Sequence, residues 1–190
     1  MANYKIVLVD TDVISHFIAT GNISRLAKIF EPNILFVLDM VYEEACRHPW
    51  DNDRKEKVDA WLSSIKSKPI PFPFHVENVK KEFYRIKKED GLRDNGERAC
   101  MAMARYGHEV IASSNFSDIK AYCDVNGIEY LGCLDILFIA MQKGLMTEEE
   151  CNAFINDAIA LNHARFPVSV MKDYIPDRNL SWWYCPTTVK

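Results

Sequence analysis

The stretch Ile6-Val7-Leu8-Val9-Asp10-Thr11-Asp12-Val13-Ile14 decides how the rest of the chain is read. Its apolar run reads as a strand over residues 4–9, and the helical pattern that follows reads as a return over 13–19 and 24–30. Two acids sit at the junction. In an open parallel sheet, ligands bind beyond the carboxyl ends of the strands, so a carboxylate placed there faces the binding crevice. Asp12 can instead cap the helix beginning at Val13, whereas Asp10 lies too far back to cap that helix well.

The same alternation continues outward. Strands are expected over residues 34–38, 109–112 and 128–131. Helices are expected over 40–47, 54–67, 76–89, 95–106, 117–126, 134–142 and 147–161, with Gly127 and Gly144 at helix ends. Residues 69–74, punctuated by prolines, read as extended. Strands separated by helices imply right-handed crossovers. The expected fold is a three-layer α/β/α domain around a central, mainly parallel sheet.

The chain has 190 residues, enough for one domain with a sizeable core. Its longest apolar runs are strand-length, so no membrane partner is expected. Six cysteines (46, 100, 123, 133, 151 and 185) are scattered without a C-x-x-C pair. They read as reduced thiols of a cytoplasmic protein, not as a zinc site. A net charge of −4 argues against a generally basic nucleic-acid binder. It does not exclude nucleic acid, because a site that holds metal on carboxylates is itself acidic and positive charge is then local.

Further polar residues fall where strands give way to helices. Glu44 and Glu43 differ by about 100° in direction on their helix. With Val41 and Ala45 on the buried side, Glu44 lies nearer that face. Glu97 opens the helix from residue 95, and its spacing from Asp94 also fits a capping box. Thr147 and Glu150 have the same spacing and read as a capping box outright. Ser113, Ser114, Asn115 and Asp118 follow the third strand, and Asp135 the fourth; each serves a helix start or a metal or phosphate equally well. Several carboxylates converging on one crevice raise each other's pKa, and a divalent cation relieves that repulsion. Ligation by oxygen alone suits Mg2+ or Mn2+. The chemistry expected is phosphodiester hydrolysis by metal-activated water.

Five segments in order, Val9-Asp10-Thr11-Asp12-Val13-Ile14, Val41-Tyr42-Glu43-Glu44, Gly96-Glu97-Arg98-Ala99-Cys100-Met101-Ala102, residues 113–118, and Gly132-Cys133-Leu134-Asp135-Ile136-Leu137 with Lys143-Gly144-Leu145, resemble the motifs of PIN-domain nucleases. The resemblance covers about residues 4–160. It implies a Mg2+- or Mn2+-dependent ribonuclease with Asp10, Glu44 and Glu97 as metal-binding acids, and RNA as the partner. The fourth motif departs from the family pattern: Ser114 and Asn115 stand where aspartates are usual, and Asp118 is the nearest acid. Asp118 then supplies the missing carboxylate, with Thr11, Asp12, Ser114 and Asn115 in supporting polar roles, or the site holds fewer or weaker metals. Bacterial members that act as toxins are held by an antitoxin protein, and homodimers are common in the family. Set against the compact toxin type, residues 1–161 form the domain, with a helical insertion at about 50–93. Residues 162–190 form an aromatic extension packed on it.

Within the insertion, Lys81, Arg85 and Lys88 share one side of a helix and could track an RNA backbone. The alternative is a solvated helix balanced by Glu77, Glu82, Glu89 and Asp90. Two other functions fit the same residues. One is a catalytically weakened PIN-like module that binds RNA or protein, which the Ser114 and Asn115 departure favours. The other is a haloacid-dehalogenase-type phosphatase with Asp10 as nucleophile, which lacks a later strand ending in paired aspartates.

Overall fold

The computed structural model describes residues 4–47, 51–90 and 94–184; the side chains of residues 89, 90 and 116–118 are also outside the description. A four-stranded, wholly parallel sheet runs through the centre in the order β2-β1-β3-β4. Its strands are β1 (Ile6–Val9), β2 (Ile34–Phe36), β3 (Val110–Ala112) and β4 (Tyr130–Leu131). Between and after them lie α1 (Thr11–Ala19), α2 (Ile23–Phe30), α3 (Asp39–Ala45), α4 (Arg54–Ser64), α5 (Glu77–Arg85), α6 (Asn95–Gly107), α7 (Phe116–Asn126), α8 (Cys133–Gln142) and α9 (Glu148–Asn162). The α/β fold is the one that the alternation of apolar runs implies. β1 is central, paired with both β2 and β3. That position explains its uninterrupted apolar run, since Val7, Leu8 and Val9 are fully buried.

The strand order reverses at β1. From its end the chain returns to β2 on one side, while β3 lies on the other, so the crevice between the carboxyl ends of β1 and β3 is the topological switch point. Register places Val9 beside Ala112, and the Asp10 N–H donates to the Ala112 carbonyl at 2.9 Å.

Three elements differ from expectation. β2 stops at Phe36, because Val37 and Leu38 pair with Ile70 of the extended segment instead. The Ile70 N–H donates to the Val37 carbonyl, and the Asp39 N–H to the Ile70 carbonyl, both at 2.9 Å. Asp39 Oδ1 accepts from the N–H groups of Met40 and Phe72. α1 begins at Thr11, two residues earlier than its apolar periodicity indicates. The helix expected over 76–89 keeps α geometry only to Arg85 and widens to a π turn over Ile86–Asp90. Lys88 lies within that turn, outside the α geometry on which its row with Lys81 and Arg85 was expected.

Beyond α9 the chain crosses the far edge of the sheet. The Tyr174 hydroxyl donates to Asp135 Oδ1 at 2.7 Å, and Arg178 Nη1 to the Tyr130 carbonyl at 2.7 Å. A final turn, α10 (Ser181–Tyr184), buries Trp183 edge-on against Phe30, with Nε1 donating to Glu129. No described helix is long and apolar enough to cross a membrane. Four described cysteines (100, 123, 133 and 151) are buried free thiols.

Trp183→Ala empties a buried aromatic site and leaves Glu129 without its indole donor. It is expected to lower the unfolding free energy by about 3–5 kcal/mol, read by urea denaturation. A loss below about 1 kcal/mol would show that the extension contributes little to the fold.

Candidate functional site

Asp10 ends β1 with extended backbone, φ −84° and ψ 163°, and is itself the N-cap of α1. Its Oδ1 accepts from the Thr11 N–H at 2.8 Å and its Oδ2 from the Ser113 hydroxyl at 3.0 Å. The expectation that Asp12 caps and Asp10 lies too far back is therefore corrected: the earlier helix start moves the capping position to Asp10. Asp12 sits exposed in the first turn, where its charge suits the helix dipole. Asp10 is only 4% exposed. Burial, then the charge of Asp12, pushes its pKa up to about 7, against the lowering effect of the Thr11 N–H.

Glu44 points inward from α3, while Glu43 faces solvent and pairs with Arg47. The Glu44 carboxylate reaches across to the start of α6. It accepts from the Asn95 and Gly96 N–H groups at 3.2 Å and from the Thr11 hydroxyl at 3.2 Å. A helix N-terminus has amides without intrahelical partners, and here a carboxylate from another helix satisfies them. The approach requires glycine at 96, since a Cβ there would stand 2.5 Å from Glu44 Oε2 and 3.0 Å from Val41 Cγ2. Burial pushes the Glu44 pKa up to about 7, helped by the hydrogen bond and charge of Asp94.

Asp94 thus joins the site, and sequence reasoning missed it. Its spacing from Glu97 suggested a cap, and it is one: its Oδ1 accepts from the Glu97 N–H at 3.0 Å. That capping role hid the contact with Glu44. Glu97 itself is buried. The Cys100 thiol is pushed far above its usual range by burial and then by the charges of Asp10, Glu97, Asp94 and Glu44.

The other expected residues are placed differently. Ser113, not Ser114, reaches Asp10. The Ser114 hydroxyl lies 2.8 Å from the Cys133 thiol, and the Asn115 N–H donates to the Ser113 hydroxyl. The Asp118 side chain lies outside the described residues. Asp135 is fully buried and committed elsewhere, to the Gly132 N–H and the Tyr174 hydroxyl. Lys81 pairs with Glu77, and Arg85 with Glu82. Glu82 is not solvated as expected: it is buried and also holds Arg105 and the Tyr122 hydroxyl.

Among the described residues, no three His, Cys, Asp or Glu side chains form a group that could hold a metal ion. The donor chemistry of Asp10, Glu44 and Asp94 nevertheless fits a hard cation. Their carboxylate oxygens are hard donors, and the burial of Asp10 and half-burial of Glu44 make negative charge there costly in a way a divalent ion would offset. Comparisons with protein-family models, curated proteins and solved structures find no match to this chain.

The raised pKa values set a pH dependence with a definite sign. A carboxyl whose pKa is higher folded than unfolded binds its proton more tightly in the native state. Without metal, stability therefore falls as pH rises from about 4 to about 7. Asp10→Asn is expected to flatten part of this slope and to raise stability at pH 8 in chelator. Urea denaturation at pH 5 and pH 8 checks it, and an unchanged slope would contradict the burial of an ionisable Asp10. Gly96→Ala is expected to cost about 1–3 kcal/mol in the same assay, by forcing Glu44 off the α6 amides.

Proposed function

We propose that the chain is a PIN-like ribonuclease that hydrolyses RNA phosphodiesters with Mg2+ or Mn2+ held by Asp10, Glu44 and Asp94. The observation carrying this reading is the convergence of carboxylates from the ends of β1, α3 and α6 at the switch point of a parallel sheet, with two of them poised near pH 7. When bound, such an ion lowers the pKa of a water and neutralises charge on the phosphate.

The protein's own part is preorganisation. The Thr11 N–H and Ser113 hydroxyl fix the direction of Asp10, and the Asn95 and Gly96 amides fix that of Glu44. The Thr11 hydroxyl, donating to Glu44, ties the two carboxylates into one unit. Glu97, buried in the first turn of α6, places a further carboxylate near them.

A catalytically weakened RNA-binding module is the second reading, favoured by the absence of a three-acid metal group among the described residues. The phosphatase reading is disfavoured. Its nucleophile must be ionised and open to substrate, whereas Asp10 is buried, accepts hydrogen bonds on both oxygens and has a pKa near 7.

The test is cleavage of a mixed structured and single-stranded RNA pool with Mn2+ or Mg2+. Asp10→Asn and Glu44→Gln are each expected to slow cleavage by about a hundredfold or more. RNA binding without cleavage by the wild type, undiminished in Asp10→Asn, would favour the binding module. An aspartyl-phosphate trapped at Asp10 would revive the phosphatase.

A further inference from the structure

A chain of aromatic rings leads away from the carboxylates. The Arg98 guanidinium lies 4.3 Å over the Phe83 ring, while its Nε donates to the Asp94 carbonyl. Phe83 meets Tyr84 edge-on at 5.4 Å and Phe74 edge-on at 5.9 Å, and Phe72 packs against both Phe74 and Phe83. Phe72 and Phe83 are buried and anchor the group. Phe74 and Tyr84 are 42% and 53% exposed. Each packs on the buried pair through one edge and leaves part of its apolar surface in water. Lys80, Lys87 and Lys88 are exposed on the same stretch of chain, and Lys80 lies one helical turn before Tyr84 on α5. Arg98 thus links the Phe83 ring to Asp94 at the start of α6.

From these contacts we infer that Phe74 and Tyr84 form a base-stacking platform that seats single-stranded RNA next to the carboxylate site, with Lys80 contacting its backbone. The inference rests on the ribonuclease reading for the identity of its ligand. Stacking suits unpaired bases, whose faces a duplex hides, and exposed lysines beside the rings complement phosphate. The platform thus selects single strands over duplexes, and it holds the strand by its bases where the carboxylates alone would repel it.

Anisotropy of a fluorescein-labelled uridine decamer, with and without its complementary strand, tests this on the full chain in chelator at low salt. Wild type is expected to prefer the single strand. Tyr84→Ala and Phe74→Ala should each weaken single-strand binding about 5- to 100-fold, while Tyr84→Phe, which keeps the ring, stays near wild type. Both positions are exposed, and circular dichroism confirms that the variants fold. Equal affinities for wild type and the alanine variants, or no binding by wild type, would overturn the platform. The two readings fail separately. RNA cleavage with a KM unaffected by Tyr84→Ala removes the platform and leaves the nuclease. Ring-dependent binding without metal-dependent cleavage removes the nuclease and leaves the platform.

Discussion

The carboxylate of Glu44, accepting from the first amides of a helix fifty residues further along the chain, is the contact on which the site depends. It docks α6 against α3, and only a glycine at 96 permits the distance. With α6 so placed, Asp94 and Glu97 arrive beside the end of β1, and Arg98 is carried over Phe83. The contact adds a polar tie to the core packing that seats α6 against α3 and β1. The arrangement also has a cost: Asp10 and Glu44 enter a partly dehydrated region, where the charges of Asp12 and Asp94 oppose theirs. The amides of α6 offset some of that cost.

The second constraint is the sheet itself. β1 has neighbours on both sides, so its carboxyl end is rigid, and Asp10 is fixed by a backbone bond to β3 as well as by two bonds to its side chain. The described part of the extension beyond α9 engages the outer edge of the sheet. There Tyr174 and Arg178 engage Asp135 and β4. A strand-end acid that resembles Asp10 in sequence is thereby committed to holding the tail.

Glu82 shows how local reading of charge fails. On α5 it sits among lysines and reads as one more solvated acid, yet it is buried and gathers Arg85, Arg105 and the Tyr122 hydroxyl from three helices. Arg85 is engaged in that network through Glu82, Lys81 pairs with Glu77 one turn away, and Lys88 lies in the π turn that follows. It is Glu82, by also gathering Arg105 and Tyr122 from elements distant in sequence, that departs from a solvated helix.

The sequence by itself determined the alternation of strands and helices, the central place of Ile6–Val9, and the inward direction of Glu44. Each of these follows from apolar periodicity, which is local. It also brought Asp10, Glu44 and Glu97 to notice, because strand ends and helix starts are legible in composition. Only the tertiary structure decided which residue caps α1, that Ser113 and not Ser114 meets Asp10, that Asp94 belongs with Glu44, and that Asp135 serves the tail. The reason is physical: a short polar side chain can satisfy a nearby amide or a distant one at similar energy. The choice between them is made by which elements the core brings within 3 Å.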